Sequence, residues 1–275
     1  MIDSLNKATL TFEGVRFAYE GRAWALGIPK LSLGRERMTC IVGPNGSGKS
    51  TLLRIAAGIL PPLQGAVRLW DQPLPFMSRR AIAQRLAFLP QETPPLFDYT
   101  VEDIAQMGRY AHLHGVGQLT DRDFLAVEHA LSAVEMAEMR NRPLSHLSGG
   151  ERRRALIASV LAQEPDLLLL DEPTASLDIH HAAAVMRLLS GFKEDRPSVV
   201  VVTHDMNLAA LFSTRLLLLV NGQIQADGTP SEVIHTAVIQ QAYGEHMLVM
   251  EHPETGSPMM VALRQDARER SACHA

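Results

Sequence analysis

The sequence predicts an α/β fold: a parallel sheet with helices on its faces, preceded by a β-rich segment and interrupted by a helical insertion. Three observations predict it. The apolar runs Leu167–Leu170 and Val199–Val202 are bounded by turn residues and separated by the helical stretch Ala182–Phe192, the alternation of a parallel sheet. A third run, Met38–Val42, leads into a glycine-rich turn and then a helical pattern at Leu52, Leu53, Ile55 and Ala56. From about Thr93 to His146 the spacing turns helical.

At the start of the chain, Thr9–Phe12 and Val15–Tyr19 alternate or carry β-branched and aromatic residues and read as strands. Pro61 and Pro62 stop the first helix. Val67–Trp70 and Leu86–Leu89 read as further strands. Thr100-Val-Glu-Asp103 is close to a capping box, and Ile104 and Met107 continue an apolar face from it. Asp121–Met139 places Phe124, Leu125, Val127, Leu131 and Val134 at helical spacing, and Glu151–Leu161 reads as another helix. Leu216–Val220, Asn221-Gly222 and Gln223–Ala226 read as a hairpin with a type I′ turn. These elements predict one domain over residues 8–262, with the helical insertion at about 93–162 and a tail at 263–275. The polar residues beyond Gly256 are expected to be partly loose.

Composition narrows the function. With 26 basic residues against 30 acidic, the formal charge is −4, so nucleic acid is not the expected partner. Apolar residues make up 46 % of the 275, enough for a globular core. No stretch approaches the roughly 20 apolar residues of a membrane-spanning helix. Met1–Lys7 lacks the apolar centre of a signal peptide. The expectation is a soluble chain that stays on the side of the membrane where it is made. Cys40 and Cys273 are the only cysteines, which excludes a disulfide framework, and Cys40 reads as a small buried hydrophobe.

Gly43-Pro44-Asn45-Gly46-Ser47-Gly48-Lys49-Ser50 matches the phosphate loop G-x-x-x-x-G-K-[ST], between an apolar strand and a helix. Glycines let the backbone close around phosphates and turn its N–H groups inward. The helix N-terminus adds positive potential. Lys49 is suited to the β- and γ-phosphates, the Ser50 hydroxyl to Mg²⁺ and Thr51 to the α-phosphate. The motif by itself says only that a nucleotide phosphate binds.

Leu167–Leu170 ends in Asp171-Glu172. Ligands of open parallel sheets sit at the carboxyl ends of the strands. Asp171 is suited to hold Mg²⁺ through water, and Glu172 to polarise an attacking water. Leu147-Ser148-Gly149-Gly150-Glu151 then opens a helix and offers a second anion-binding N-terminus.

With these motifs in this order, the chain resembles the ATP-binding cassette family over about Ala8–Ala262. The resemblance implies a phosphate-loop nucleotide-binding domain with an N-terminal antiparallel β subdomain and a helical insertion subdomain. It implies ATP and Mg²⁺ as cofactors. It also implies a two-fold dimer in which Ser148, Gly149, Gly150 and Glu151 of one copy cap the γ-phosphate held by Gly43–Thr51 of the other. Tyr19 matches the aromatic residue that stacks on adenine, with a core or edge-strand tyrosine as the competing reading. Gln91 matches the glutamine that senses Mg²⁺ and the attacking water and couples to a membrane subunit. Ser176-Leu177-Asp178 matches the loop that crosses the dimer interface. His204 matches the switch histidine at the γ-phosphate. Glu172, His204 and Gln91 are thus the implied catalytic residues, and Ser50, Gln91 and Asp171 the implied metal site.

Thr100–Tyr110 resembles the importers of iron(III)-siderophores, haem and cobalamin, as do Leu177–His181, His204–Leu208 and the closing segment Tyr243-Gly244, His252-Pro253 and Gly256–Met260. The resemblance implies an ATPase subunit of an iron(III)-chelate importer, with haem or cobalamin as alternative cargo. Its partners would be a second copy, membrane permease subunits and, indirectly, a periplasmic binding protein, at the cytoplasmic face of the bacterial inner membrane. A soluble cassette acting on DNA or the ribosome competes, as does an exporter subunit. The former usually has a second cassette or a long coiled-coil insertion, and neither is visible here. His112, His114, His180, His181 and His235 are scattered and read as solvated surface residues. Phe97, Tyr99, Val101 and Met107 are candidates to line a groove for a helix of the permease, or equally to be core.

Overall fold

The computed structural model describes residues 10–21, 25–34, 36–91, 99–113, 117–175, 177–192 and 197–263. The chain begins with strands β1 (Leu10–Ala18) and β2 (Ala25–Leu33). The two N-terminal runs expected as separate strands are one strand, because Gly14 takes a φ of 59° where the pairing register shifts between Glu13 and Arg16. A bulge absorbs the residue that broke the alternation. Next come β3 (Met38–Val42), helix α1 (Lys49–Ala56), β4 (Gln64–Leu69), β5 (Gln72–Pro73), the short α2 (Arg79–Ala83) and β6 (Leu86–Leu89). Strands β2-β1-β4-β5 form an antiparallel sheet in that order.

The insertion follows as α3 (Val101–Met107), α4 (Asp121–Ala133) and α5 (Gly149–Ala162). The box at Thr100 and Asp103 forms, and a second one, Thr120 with Asp123, starts α4. Helix α4 is shorter than its apolar spacing suggested. It ends at Ala133, Glu135 turns to a φ of 58°, and Ala137–Met139 is a 3₁₀ turn. A buried arginine fastens the insertion together: Arg109 Nε donates to Asp123 Oδ1 at 2.8 Å, and Nη1 donates to Glu164 Oε2 at 2.9 Å and to the Ala162 carbonyl at 2.6 Å. Val101 is fully buried, so it is core rather than groove. Met107 packs against the same core, Tyr99 is exposed, and Phe97 lies outside the described residues.

The second half gives β7 (Leu167–Asp171), α6 (Ile179–Ser190), β8 (Ser198–Val202), α7 (Met206–Phe212), β9 (Arg215–Val220) and β10 (Gln223–Gly228). The central sheet has the order β10-β9-β3-β8-β7-β6, parallel except for β10. Every residue of β3, β7 and β8 is buried, which is why these strands read as unbroken apolar runs. Asn221 and Gly222 both have positive φ, 49° and 80°, the type I′ turn expected between β9 and β10.

The closing elements are α8 (Pro230–Val233), α9 (Thr236–Tyr243), β11 (Met247–Glu251) and β12 (Pro258–Ala262). The segment after Gly256 is therefore not loose as far as Ala262: β12 pairs with β11. The Asn207 side chain also clamps Met260, accepting from its N–H at 2.8 Å and donating to its carbonyl at 3.2 Å. Among the described residues no helix is long and apolar enough to cross a membrane.

Candidate active site

Strand β3 sits between β8 and β9, so the loop leaving its carboxyl end opens at the middle of the sheet edge. Gly43 begins that loop at a φ of 150°, where a Cβ would lie 1.9 Å from the Leu219 carbonyl oxygen. No larger residue fits there, because β9 passes directly behind the loop. Gly48 caps α1 in the left-handed region at a φ of 105°. Lys49 is buried and folded back: its Nζ donates to the carbonyls of Gly43 at 2.8 Å and Pro44 at 3.0 Å. Burial pushes its pKa down, opposed by the charges of Glu172 and Asp171. The loop thus holds an ammonium against two of its own carbonyls beside the N-terminus of α1, a cationic setting suited to a polyanion.

Asp171 ends β7 fully buried. Its Oδ1 accepts from Ser50 Oγ at 3.0 Å, while its Oδ2 is buried with no hydrogen-bond partner. Burial raises its pKa, and the Ser50 hydroxyl opposes the rise. A hydroxyl and an unsatisfied carboxylate oxygen side by side are a donor set for a hard divalent cation such as Mg²⁺.

Glu172 holds a φ of 49°, a conformation that is costly for a residue with a Cβ. Its N–H donates to the Val202 carbonyl at 2.9 Å, which ties the turn to β8. Its Oε2 lies 2.8 Å from His204 Nδ1. A cleft of about 620 Å³ joins Glu172 to Lys49, Ser50, Thr51, Gln91 and Tyr19, with Asn45, Gly46 and Gly48 on its wall. Tyr19 contacts Thr51 Oγ1 through its hydroxyl at 3.4 Å and meets Phe17 edge to face at 5.0 Å, so it is half core and half cleft wall. Ser47 Oγ is buried without a partner.

The other predicted residues are elsewhere. Ser148 caps α5 and exchanges hydrogen bonds with Glu151, whose carboxylate pKa is lowered by these bonds. Gly149 faces open space, and Gly150 lies against His181. None of these residues lines the cleft of their own chain. Asp178 caps α6 beside them, accepting from the His181 N–H at 2.9 Å, and Ser176 lies outside the described residues. The histidines are surface groups with one correction: His112 is half-buried and its Nε2 lies 2.8 Å from the Gln163 carbonyl. His114 lies outside the described residues.

Sequence reading missed Arg153. It sits on α5, in the same stripe as Leu156, Ile157 and Val160, all buried. A lone arginine in an apolar helical stripe was the available signal. Its guanidinium donates to five main-chain carbonyls: Nε to Pro173 at 3.1 Å, Nη1 to Pro90 at 3.3 Å and Gln91 at 3.4 Å, and Nη2 to Asp171 at 2.9 Å and Glu172 at 3.1 Å. Burial lowers its pKa to about 10, against the charges of Asp171 and Glu172.

Comparison with known proteins decides the family. The model of the ABC transporter family matches residues 27–175. This chain belongs to the ABC transporter family. The cassette is 44 % identical over 224 residues to the hemin import ATP-binding protein HmuV of Streptomyces coelicolor, covering 82 % of this chain and 79 % of that one. It is 36 % identical over 230 residues to the ferric enterobactin transport ATP-binding protein FepC of Escherichia coli, covering 83 % and 85 %. A solved structure of a metal-chelate type ABC transporter in an inward-facing conformation superposes with a TM-score of 0.81 at 27 % identity, covering 94 % of the cassette and 99 % of that chain. The cassette is an ATP-binding ATPase with the family's fold.

Proposed function

We propose that this cassette hydrolyses ATP to drive an importer of iron(III) chelates, docked on the cytoplasmic face of a bacterial inner-membrane permease that a periplasmic binding protein supplies. The observation that carries the ATPase reading is Glu172, held in a left-handed turn at the mouth of the phosphate cleft with His204 on its carboxylate. The iron-chelate cargo is supported by similarity to the hemin and enterobactin proteins.

In this reading Gly43–Thr51 hold the phosphates of ATP, and Tyr19 packs against the adenine. Lys49 exchanges its two loop carbonyls for phosphate oxygens. Ser50, Asp171 and Gln91 would hold Mg²⁺, which neutralises charge on the β- and γ-phosphate oxygens when bound. Glu172 orients the attacking water and takes its proton, His204 keeps that carboxylate aimed, and Gln91 reports the state of the site to the permease. Ser148, Gly149, Gly150 and Glu151 lie outside their own cleft and so complete the site of a second copy, with Asp178 at the interface between the two.

Haem is the second reading for cargo, favoured by the 44 % identity to a hemin import protein against 36 % to the enterobactin one. The test is reconstitution in proteoliposomes with haem, ferric hydroxamate and ferric catecholate permeases, each with its binding protein. ATPase activity is expected to rise with one of them and to rise further with its loaded binding protein. No stimulation by any of the three would count against the importer reading, and absent ATPase activity in the purified chain would overturn the whole.

A further inference from the structure

Among the described residues, a buried cation on α5 makes all its hydrogen bonds to the main chain of the catalytic segments. We propose that Arg153 is a positioning residue of the ATPase: its guanidinium locks the backbone carrying Gln91 to the backbone carrying Asp171 and Glu172, so that both move with α5 as one body. This rests on the ATPase reading above.

A guanidinium has five N–H donors in a planar fork. Five carbonyl oxygens accept them here, from Pro90, Gln91, Asp171, Glu172 and Pro173. Donor capacity and acceptor number match, so the buried cation is saturated without a carboxylate oxygen in the set. Those carbonyls come from two segments far apart in sequence, the end of β6 and the end of β7. The side chain that joins them leaves a third element, α5, two residues after Glu151 and within the first two turns from Ser148 at the helix N-terminus. Any tilt of α5 against the central sheet is therefore felt through one rigid plane by the glutamine and by both carboxylate residues. Arg153 reaches no cleft surface and is 8 % exposed, so it acts through Gln91 and Glu172 and not on the nucleotide.

The fork separates this role from a general need for positive charge. Lysine keeps the charge and most of the stem, yet its ammonium is a point with three donors and cannot span five carbonyls. The experiment compares wild type, Arg153→Lys and Arg153→Met for kcat, KM, direct affinity for a fluorescent ATP analogue, thermal midpoint, and hydrogen exchange over residues 89–91 and 171–173. Both variants are expected to lose kcat by about tenfold to a hundredfold, the size of a positioning error near 1 Å. Analogue affinity should stay within about twofold of wild type, with faster exchange in both segments together.

Wild-type kcat in Arg153→Lys would overturn the proposal, because charge alone would then suffice. A loss matched by the unfolded fraction or by weaker analogue binding would also overturn it, since that is a structural brace. So would faster exchange in one segment only. If Arg153→Met does not fold, Arg153→Lys carries the test by itself. An inactive wild type sinks the ATPase reading instead, and an active wild type with an unaffected Lys variant sinks only this inference.

Discussion

His204 Nδ1 lies 2.8 Å from Glu172 Oε2, joining the residue that follows β7 to one that follows β8. The glutamate is nearly buried and the histidine side chain is mostly exposed. One carboxylate oxygen is thereby held, in a residue that also lines the cleft. Glu172→Gln keeps the shape and loses the proposed base. Its kcat is expected to fall by about a hundredfold or more, the usual worth of a positioned general base. ATP should still bind, and size-exclusion chromatography should show an ATP-dependent dimer. Normal turnover in this variant would show that another group serves as base. His204→Ala is expected to lower kcat with little change in KM, because it frees the carboxylate without touching the phosphate loop.

The loop behind the phosphates tolerates no side chain at its first position. Gly43→Ala puts a Cβ against the Leu219 carbonyl oxygen, 1.9 Å away before relaxation. Either β9 moves or the loop does. A loss of about 2 kcal/mol or more is expected in urea unfolding, together with weaker ATP binding. A Gly46→Ala control isolates the clash, since nothing lies within 4 Å of that position although its φ is also positive.

Acid should weaken the insertion through Asp123. Hydrogen bonds from Thr120, helped by Arg109, lower its carboxyl from 3.8 to about 2. Because the folded pKa is the lower one, the contribution is fully present above about pH 4. It is lost as pH falls toward about 2, the unfolded chain taking up the proton first. Asp123→Asn is expected to cost about 2 kcal/mol at pH 6, and the gap to wild type should narrow as pH approaches 2. Urea midpoints at pH 6, 4 and 2.5 check this; a gap that stays constant would contradict it.

Cys40 lies in β3 with no exposed surface, and burial pushes its thiol up to about 12. It should be inert in the folded state. In a Cys273→Ser background, a thiol reagent is expected to label Cys40 only as fast as the chain opens. ATP should slow the labelling, because ligand binding stabilises the folded state.

The central sheet was legible because its strands are buried on both faces and therefore read as Met38–Val42, Leu167–Leu170 and Val199–Val202 without interruption. The cleft was legible because phosphate binding constrains residue types at fixed spacing, as at Gly43–Ser50. Strand β2 was not read, since Gly27 and Pro29 punctuate it and its partners are supplied by β1. Strands β11 and β12 were missed because they depend on each other and on the distant Asn207. Arg153 escaped for a related reason: main-chain carbonyls have no residue identity, so a side chain that binds only them leaves no partner in the sequence. Glu172 and His204 were each legible, but their bond to one another depends on β7 and β8 lying side by side.

Placing Ser148 outside the cleft that holds Lys49 has a genetic consequence. In the proposed dimer, where Ser148 completes the site of the other copy, a pair of Lys49→Ala chains would carry one lesion in each site, and so would a pair of Ser148→Arg chains. A mixed dimer would concentrate both lesions in one site and leave the other whole. Two inactive proteins, mixed in equal amounts and allowed to exchange, should therefore regain measurable ATPase activity. A cell carrying both alleles could take up its cargo when neither allele alone suffices.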